Sequence, residues 1–445
     1  MQILTQIAKY IFIILILLFT LRNYTYFRKQ TEEKKSNIET QQLVKVFFFN
    51  ALGFGILYVR EYKAELLVLM VGIFVYSACT FALYKAFYPK SSLLLVTNML
   101  MLLAVGFVMI ARINPQQALK QFIIAAASTV IALLVPVIVR KLKILSRLTW
   151  LYAFVGLAAL GVVMVMAVAS GGAKLSIEVA GITIQFSELV KITFAFFIAA
   201  KLSKDTSRMS VVVTTVIAFA HIGILIVSRD LGTAAVFFAA YLVMLLVATR
   251  KFRYAVVGIM GGAAGSVAAY YLFGHVRQRV SAWRDPFAVY EDEGYQIVQG
   301  LFAIAAGGFF GTGLGNGSPQ TIPVATKDYI FAAICEEFGC VFGICLILMC
   351  MTMFLLIVNI AMQIRRRFYK LIAIGLGCEY AFQVFLTVGG VTKFIPMTGI
   401  TLPLVAYGGS SVASTILMLA IIEGLYMLRE DEEEQLAQAI RQEVR

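Results

Sequence analysis

Residues 276–339 read VRQRVSAWRDPFAVYEDEGYQIVQGLFAIAAGGFFGTGLGNGSPQTIPVATKDYIFAAICEEFG. This segment is polar, locally acidic and rich in glycine, whereas almost all the rest of the chain is long apolar runs joined by short basic connectors. Such an interval between membrane-sized runs marks a large loop at one end of a helical membrane bundle. It ends by feeding Asp328 into the start of an apolar run, and an acid at that place is the first candidate for chemistry.

Composition supports the membrane reading. The 445 residues are 61% hydrophobic and 14% charged, with a mean hydropathy of +0.88, far above the balance of a soluble domain. The formal charge of +14 does not point to nucleic acid, because the cations sit in short clusters between apolar runs, where the positive-inside rule expects them. Cys79, Cys335, Cys340, Cys345, Cys350 and Cys378 lie in apolar segments without metal-ligand spacing, so they read as small buried hydrophobes. The apolar stretch from Ile11 to Phe19 is followed by Arg22, Arg28 and Lys29 and by no small-residue cleavage site, which predicts a retained span.

A helix crossing the hydrocarbon needs about 20 apolar residues. Candidate spans are 3–21, 44–60, 65–87, 91–111, 119–139, 148–168, 186–202, 209–227, 231–249, 254–273, 328–361, 371–391 and 405–428. The basic clusters Arg140/Lys141/Lys143/Arg147, Lys201/Lys204/Arg208, Arg250/Lys251/Arg253 and Arg365/Arg366/Arg367/Lys370 are separated by even numbers of spans, so all can face the cytoplasm. The interval 274–327 is then extracytoplasmic. The same parity favours a span at 44–60, with an interfacial helix there as the alternative. It places the N-terminus outside and the acidic tail inside.

With this orientation, Glu188 and Lys191 share a helix face near the outer end of their span. Asp230 lies in the outer turn SRDLGT, Lys174 in the outer loop GGAKLSIEVAG, and Glu336 about 12 Å along the helix that Asp328 opens. For any one pair, such as Glu188 with Lys191 or Asp230 with Arg229, a helix-locking role is an equal alternative. Gathered on one side, the set predicts a polar cavity open to the outer leaflet. Residues 276–294 read as an amphipathic headgroup-level segment around Trp283 and Phe287, with a solvated charge run as the alternative. The run AGGFFGTGLGNGS lacks the spacing and lysine of a nucleotide loop. The stretch TKFIPMTGITLPLVAYGGSS enters the last span from the same side, and its non-helical backbone is expected to line the same cavity. His221 and His275 make no metal pattern.

Together GAKLSIEVAGITIQFSELVK, RDLGTA, WRDPF with GYQIVQGLFAI, GTGLGNGSPQ, IPVATKDYIFAAICEEFG and PMTGITLPLVAYGGSS resemble, in this order and spacing, the SEDS family (shape, elongation, division and sporulation). These are peptidoglycan glycosyltransferases of the RodA, FtsW and SpoVE kind. The resemblance runs from about Leu93 to the last span. It implies an all-α polytopic membrane protein with about ten core helices, both core ends cytoplasmic, and a large extracytoplasmic loop before the third-last helix. Residues 91–428 would form that core and 429–445 a cytoplasmic acidic tail. Residues 1–90, about three helices, would be an added membrane module.

The resemblance implies an enzyme that polymerises lipid II, an undecaprenyl-pyrophosphoryl disaccharide-pentapeptide, into β-1,4-linked strands, and a class B penicillin-binding protein, a transpeptidase, as partner. Its catalytic aspartate falls on Asp328, its glutamate and lysine on Glu188 and Lys191, and the aspartate of its Asp-Leu-Gly-Thr turn on Asp230. Lys174, Arg279, Lys327, Gln296 and Ser410 complete the expected substrate-binding set. No cofactor is firmly implied; a divalent cation, magnesium or manganese, held by a carboxylate is the one candidate. Phe186, Ser176, Thr326, Lys327 and Ala406 depart from the family's usual residues without removing a charged catalytic position. A flippase of the same lipid-linked precursor and a scaffold that only recruits a transpeptidase are the competing readings.

Overall fold

Apolar runs bounded by polar caps wind into helices because a backbone leaving water must satisfy its own hydrogen bonds. The computed structural model describes residues 2–28, 32–169, 177–179, 182–291 and 294–443. Its helices are α1 (Gln2–Tyr26), α2 (Glu32–Glu61), α3 (Ala64–Phe87), α4 (Leu93–Ile113), α5 (Pro115–Ala132), α6 (Val135–Lys141), α7 (Thr149–Ala169), α8 (Phe186–Leu202) and α9 (Arg208–Val227). They continue with α10 (Leu231–Thr249), α11 (Phe252–Leu272), α12 (Gly274–Arg284), α13 (Gly294–Gly307), α14 (Ile330–Phe338), α15 (Cys340–Gln363), α16 (Arg367–Val391) and α17 (Gly409–Glu443). The one departure from all-helical structure among the described residues is a short antiparallel hairpin, β1 (Ile177–Val179) with β2 (Ile182–Ile184). Among the described residues, 11 helices are long and apolar enough to cross a membrane, α5 and α6 counting as one.

Local chemistry sets the ends. Asn114 caps α5 by accepting from Gln117 N, with Pro115 in the first turn. Asp230 caps α10 by accepting from Thr233 N at 3.1 Å. Pro136, which has no N–H to give, separates α5 from α6, and the Tyr88 hydroxyl donates to the Leu133 carbonyl at that break. The expected span at 44–60 lies inside α2, which is long and apolar enough to cross.

Polar contacts define two ends of the bundle. At one, the α17 helix runs on through the acidic segment, where Asp431 meets Lys90 at 3.0 Å and Arg140 at 2.6 Å, Glu434 meets Lys90 at 2.6 Å and Glu432 meets Arg366 at 2.8 Å. Lys204 donates to Thr149 and Arg367 to the Ala248 carbonyl, so the four basic connectors share this end. Pairs this exposed add little stability; their use is to fix which connectors lie together. At the other end lie the loop between α11 and α14 and the turn that carries Asp328.

The expected single span at 328–361 is instead two helices. Asp328 lies in the turn before α14, and α14 stops at Phe338. Gly339, at φ +89°, redirects the chain into α15, and a Cβ there would collide with the Phe309 carbonyl and the Gly311 nitrogen. The glycine-rich run 308–313 closes this break. Thr312 N donates to Glu336 O at 2.9 Å, Gly313 N to Glu337 O at 2.9 Å and Cys340 N to Gly308 O at 2.9 Å. The orphan carbonyls at the end of α14 are thereby satisfied by loop backbone.

Gly339→Ala is expected to lose about 1–3 kcal/mol from the positive φ alone, with the collision adding to it. A fall in the thermal unfolding midpoint of the detergent-solubilised protein measures this; an unchanged midpoint would show that the break tolerates a side chain.

Candidate active site

Asp328 is half-buried at the mouth of α14. Its carboxylate and the guanidinium of Arg279, from α12, flank Gly399: a Cβ built there would lie 3.9 Å from Asp328 Oδ2 and 3.7 Å from Arg279 Nη2. Arg279 is held by the Thr398 and Met397 carbonyls, to which its Nη1 donates at 3.0 and 3.3 Å. Burial pushes the Asp328 carboxyl above the usual carboxylate range, and the positive charges of Lys327 and Arg279 oppose that rise. Lys327 itself is exposed beside it.

The loop 392–408 joins this turn to the helices around it. Tyr407 N donates to the Thr326 carbonyl at 2.7 Å, and Gln121 receives Gly408 N at 3.0 Å. Gly232, in the first turn of α10, packs against Ile400 and the Thr398 carbonyl with no room for a side chain. On the inner side, Gln383 donates to Thr401 O at 3.1 Å, and Thr401 and Ser411 share a hydroxyl contact at 3.2 Å.

Two further clusters border the loop. Lys191 pairs with Glu188 at 2.6 Å and donates to Gln383 Oε1 at 2.7 Å, while Ser414 donates to Glu188 Oε2 at 3.1 Å. With Glu379 these groups line a cavity of about 10 Å³, room for about one water molecule. Asp230 accepts from Thr233 N, Ser187 Oγ at 3.1 Å and Gln185 Nε2 at 3.3 Å. Burial raises its carboxyl, and the Thr233 and Ser187 bonds hold part of that rise back. Gln185 N in turn donates to Ser410 Oγ at 2.8 Å, which ties the start of α17 to Asp230 through one residue.

The structure therefore brings Asp328, Lys327 and Arg279 together, and groups Glu188 with Lys191 and Asp230 with Ser410. Gln296 stands on an exposed side of α13. Lys174 lies outside the described residues, as do Asp292 and Glu293. Glu336 lies on the helix that follows Asp328, as expected, but it faces the glycine-rich loop: its carboxylate accepts Ser318 N at 2.8 Å, while Glu337 accepts Gly315 N at 3.0 Å and Arg112 Nε at 3.1 Å.

Sequence reasoning missed Glu379, Glu337 and Arg112, although an acid or arginine inside an apolar run is itself a signal. A polar cavity was expected at this end, but its lining was missed: the cavity of about 570 Å³ is bounded by Arg229, His275, Arg277 and Gln278. These residues come from the SRDLGT turn and the first turn of α12, and only folding makes them neighbours.

A family model described as "cell cycle protein", covering FtsW, RodA and SpoVE, matches residues 86–430. The "Peptidoglycan glycosyltransferase RodA" of Mycobacterium tuberculosis is 35% identical over 371 residues, covering 76% of this chain and 78% of that protein. The "Stage V sporulation protein E" of Bacillus subtilis is 31% identical over 261 residues, covering 56% and 70%. Among solved structures, a chain from work on a peptidoglycan synthase complex that coordinates polymerization and crosslinking matches with a TM-score of 0.64 at 24% identity, covering 75% of this chain and 97% of that one. The Rod shape determining protein RodA of Thermus thermophilus matches with a TM-score of 0.57 at 22% identity, covering 75% and 96%. From α4 through the membrane-crossing part of α17, the chain belongs to the cell cycle protein family of FtsW, RodA and SpoVE.

Proposed function

We propose that this multi-pass membrane protein is a peptidoglycan glycosyltransferase of the bacterial cell membrane, polymerising lipid II with Asp328 as general base. The observation that carries the reading is Asp328 itself: a carboxylate raised by burial, at a helix mouth, with two cations beside it and non-helical backbone on its flank. The site end of the bundle then faces outside, and the basic end with its acidic tail faces the cytoplasm. Residues 91–428 act as the catalytic core, and residues 1–90 as an added module.

In the proposed reaction the 4-hydroxyl of an acceptor sugar attacks the anomeric carbon of the donor. The new O–C1 bond forms as the bond from C1 to the pyrophosphate oxygen breaks, the hydroxyl proton passes to Asp328, and the lipid pyrophosphate leaves with the bonding pair. Developing negative charge on the leaving group needs preorganised cations. Arg279 and Lys327 stand beside the base, and Arg229 and Arg277 line the 570 Å³ cavity next in the fold. The Glu188–Lys191–Glu379 cluster, with space for about one water, supports the loop 392–408 from below. That space is far too small for a sugar path, which argues against a flippase route through this cluster.

The positive charges of Lys327 and Arg279 beside Asp328 oppose a divalent cation on that carboxylate. No step is routed through one. A transpeptidase partner and a growing glycan strand complete the reading, supported by the synthase complex among the structural neighbours.

Three outcomes test it. With purified protein and lipid II, Asp328→Asn is expected to lower the polymerisation rate about 10²- to 10⁴-fold, the usual contribution of a general base; glycan chains formed at the wild-type rate would remove Asp328 from that role. In wild type, kcat/KM should rise with pH through an inflection above the ordinary aspartate range, because the base works only when deprotonated. Replacing Lys327 by Ala removes a charge that favours the carboxylate, so the inflection should move higher still; a downward move would contradict the assigned electrostatics.

A further inference from the structure

The family match begins at residue 86, yet the helices before it are built into the site end of the bundle. The start of α1 and the end of α2 grip the glycine-rich loop from outside. Lys9 Nζ donates to Gly311 O at 3.3 Å and Gln6 to Thr312 O at 3.3 Å. Asn316 is held from both sides: it donates to Thr5 Oγ1 at 3.0 Å and accepts from Arg60 Nη1 at 3.0 Å. Gly315, at φ +88°, lies against the Arg60 guanidinium.

Below these bonds, aromatic rings brace the break at Gly339. Phe12 packs edge-on to Phe338 with ring centres 4.9 Å apart and to Phe49 at 5.1 Å, and Phe338 stacks on Phe342 at 4.7 Å. Phe12 and Phe49 belong to the added helices; Phe338 and Phe342 end α14 and begin α15. The gripped loop is hydrogen-bonded to the last turn of α14 through Thr312, Gly313, Gly315 and Ser318. The first turn of α14 follows Asp328 directly. A short helix held at its far end in this way has its near end fixed as well, since helices and packed rings are stiff over nine residues.

We propose that residues 1–90 are a positioning module for the reaction, in which Thr5, Lys9 and Arg60 hold the loop 311–318 and, through α14, set Asp328 against Gly399 and Arg279. The inference rests on the reading of Asp328 as the base. A displacement of about 1 Å at a reacting group is enough to cost about 10²-fold in rate, so the module acts on turnover rather than on lipid binding.

The test uses the full chain in detergent with lipid II, comparing wild type, the triple variant Thr5→Val/Lys9→Ala/Arg60→Ala, the single variant Asn316→Ala, the conservative pair Lys9→Arg/Arg60→Lys, and Asp328→Asn. The triple variant and Asn316→Ala should lose about 10- to 100-fold in kcat, with KM for lipid II within about two-fold of wild type, and the conservative pair should regain most of the rate. Wild-type kcat in the triple variant overturns the proposal. So does a rate loss in the triple variant matched by loss of folded protein in a thermal melt while Asn316→Ala turns over normally. Asp328→Asn separates this from the underlying reading: if it is inactive while the clamp variants run at full rate, only the clamp is wrong, and if it polymerises normally the base assignment falls.

Discussion

A carboxylate stripped of water must be met by donors or it forces the structure apart, and Glu337 meets that demand with Arg112 and the Gly315 nitrogen. Arg112 carries the obligation onward, donating to the Gly315 and Gly317 carbonyls at 3.2 Å each. One ion pair therefore satisfies a stretch of loop backbone that has no secondary structure of its own. Replacing the pair with apolar residues would leave those peptide groups without partners, which is costlier than the pair itself. The irregular segment beside Asp328 exists because α4 and α14 supply the charges that satisfy it.

The same economy recurs around the second irregular segment. Loop 392–408 takes Gln121, Gln383 and the Thr326 carbonyl as partners, each from a different part of the chain. Three acids near it are held in three ways. Asp230 is bound by hydroxyl, amide and backbone donors, Glu188 by a lysine and the Ser414 hydroxyl, and Asp328 is half-buried with cations nearby. A carboxylate fully occupied by fixed donors is a poor proton acceptor, which sets Asp230 and Glu188 apart from Asp328.

Much of this was legible in the residues. Apolar run length located the helices, and the spacing of basic connectors put Arg140, Lys204, Arg250 and Arg366 at a common end, where the structure gathers their neighbourhoods through Asp431, Thr149, Ala248 and Glu432. Three-residue spacing paired Glu188 with Lys191. The break at Gly339 was hidden because ICEEFGCVFGI is apolar enough to pass for one helix; only the loop that folds back onto Glu336 and Glu337 shows why a glycine must stand there. The Arg229–Arg277 cavity was hidden for a related reason, since its lining comes from turns separated by two helices.

The position of α4 has a consequence for how the chain is made. This helix is buried along its whole apolar length and carries Asn98, whose side-chain oxygen accepts from Asn23 at 2.6 Å, while Asn23 in turn accepts from Gln42 at 2.5 Å. In the core alone, α4 would be the first helix synthesised and would enter lipid with the Asn98 nitrogen bonded to its own Leu94 carbonyl and the side-chain oxygen unmet. Here α1 and α2 leave the ribosome earlier, so the receptor for Asn98 is already in the bilayer when α4 arrives. The order of synthesis and the order of packing coincide, and the most buried helix of the bundle need never be exposed to lipid on the face that carries its amide.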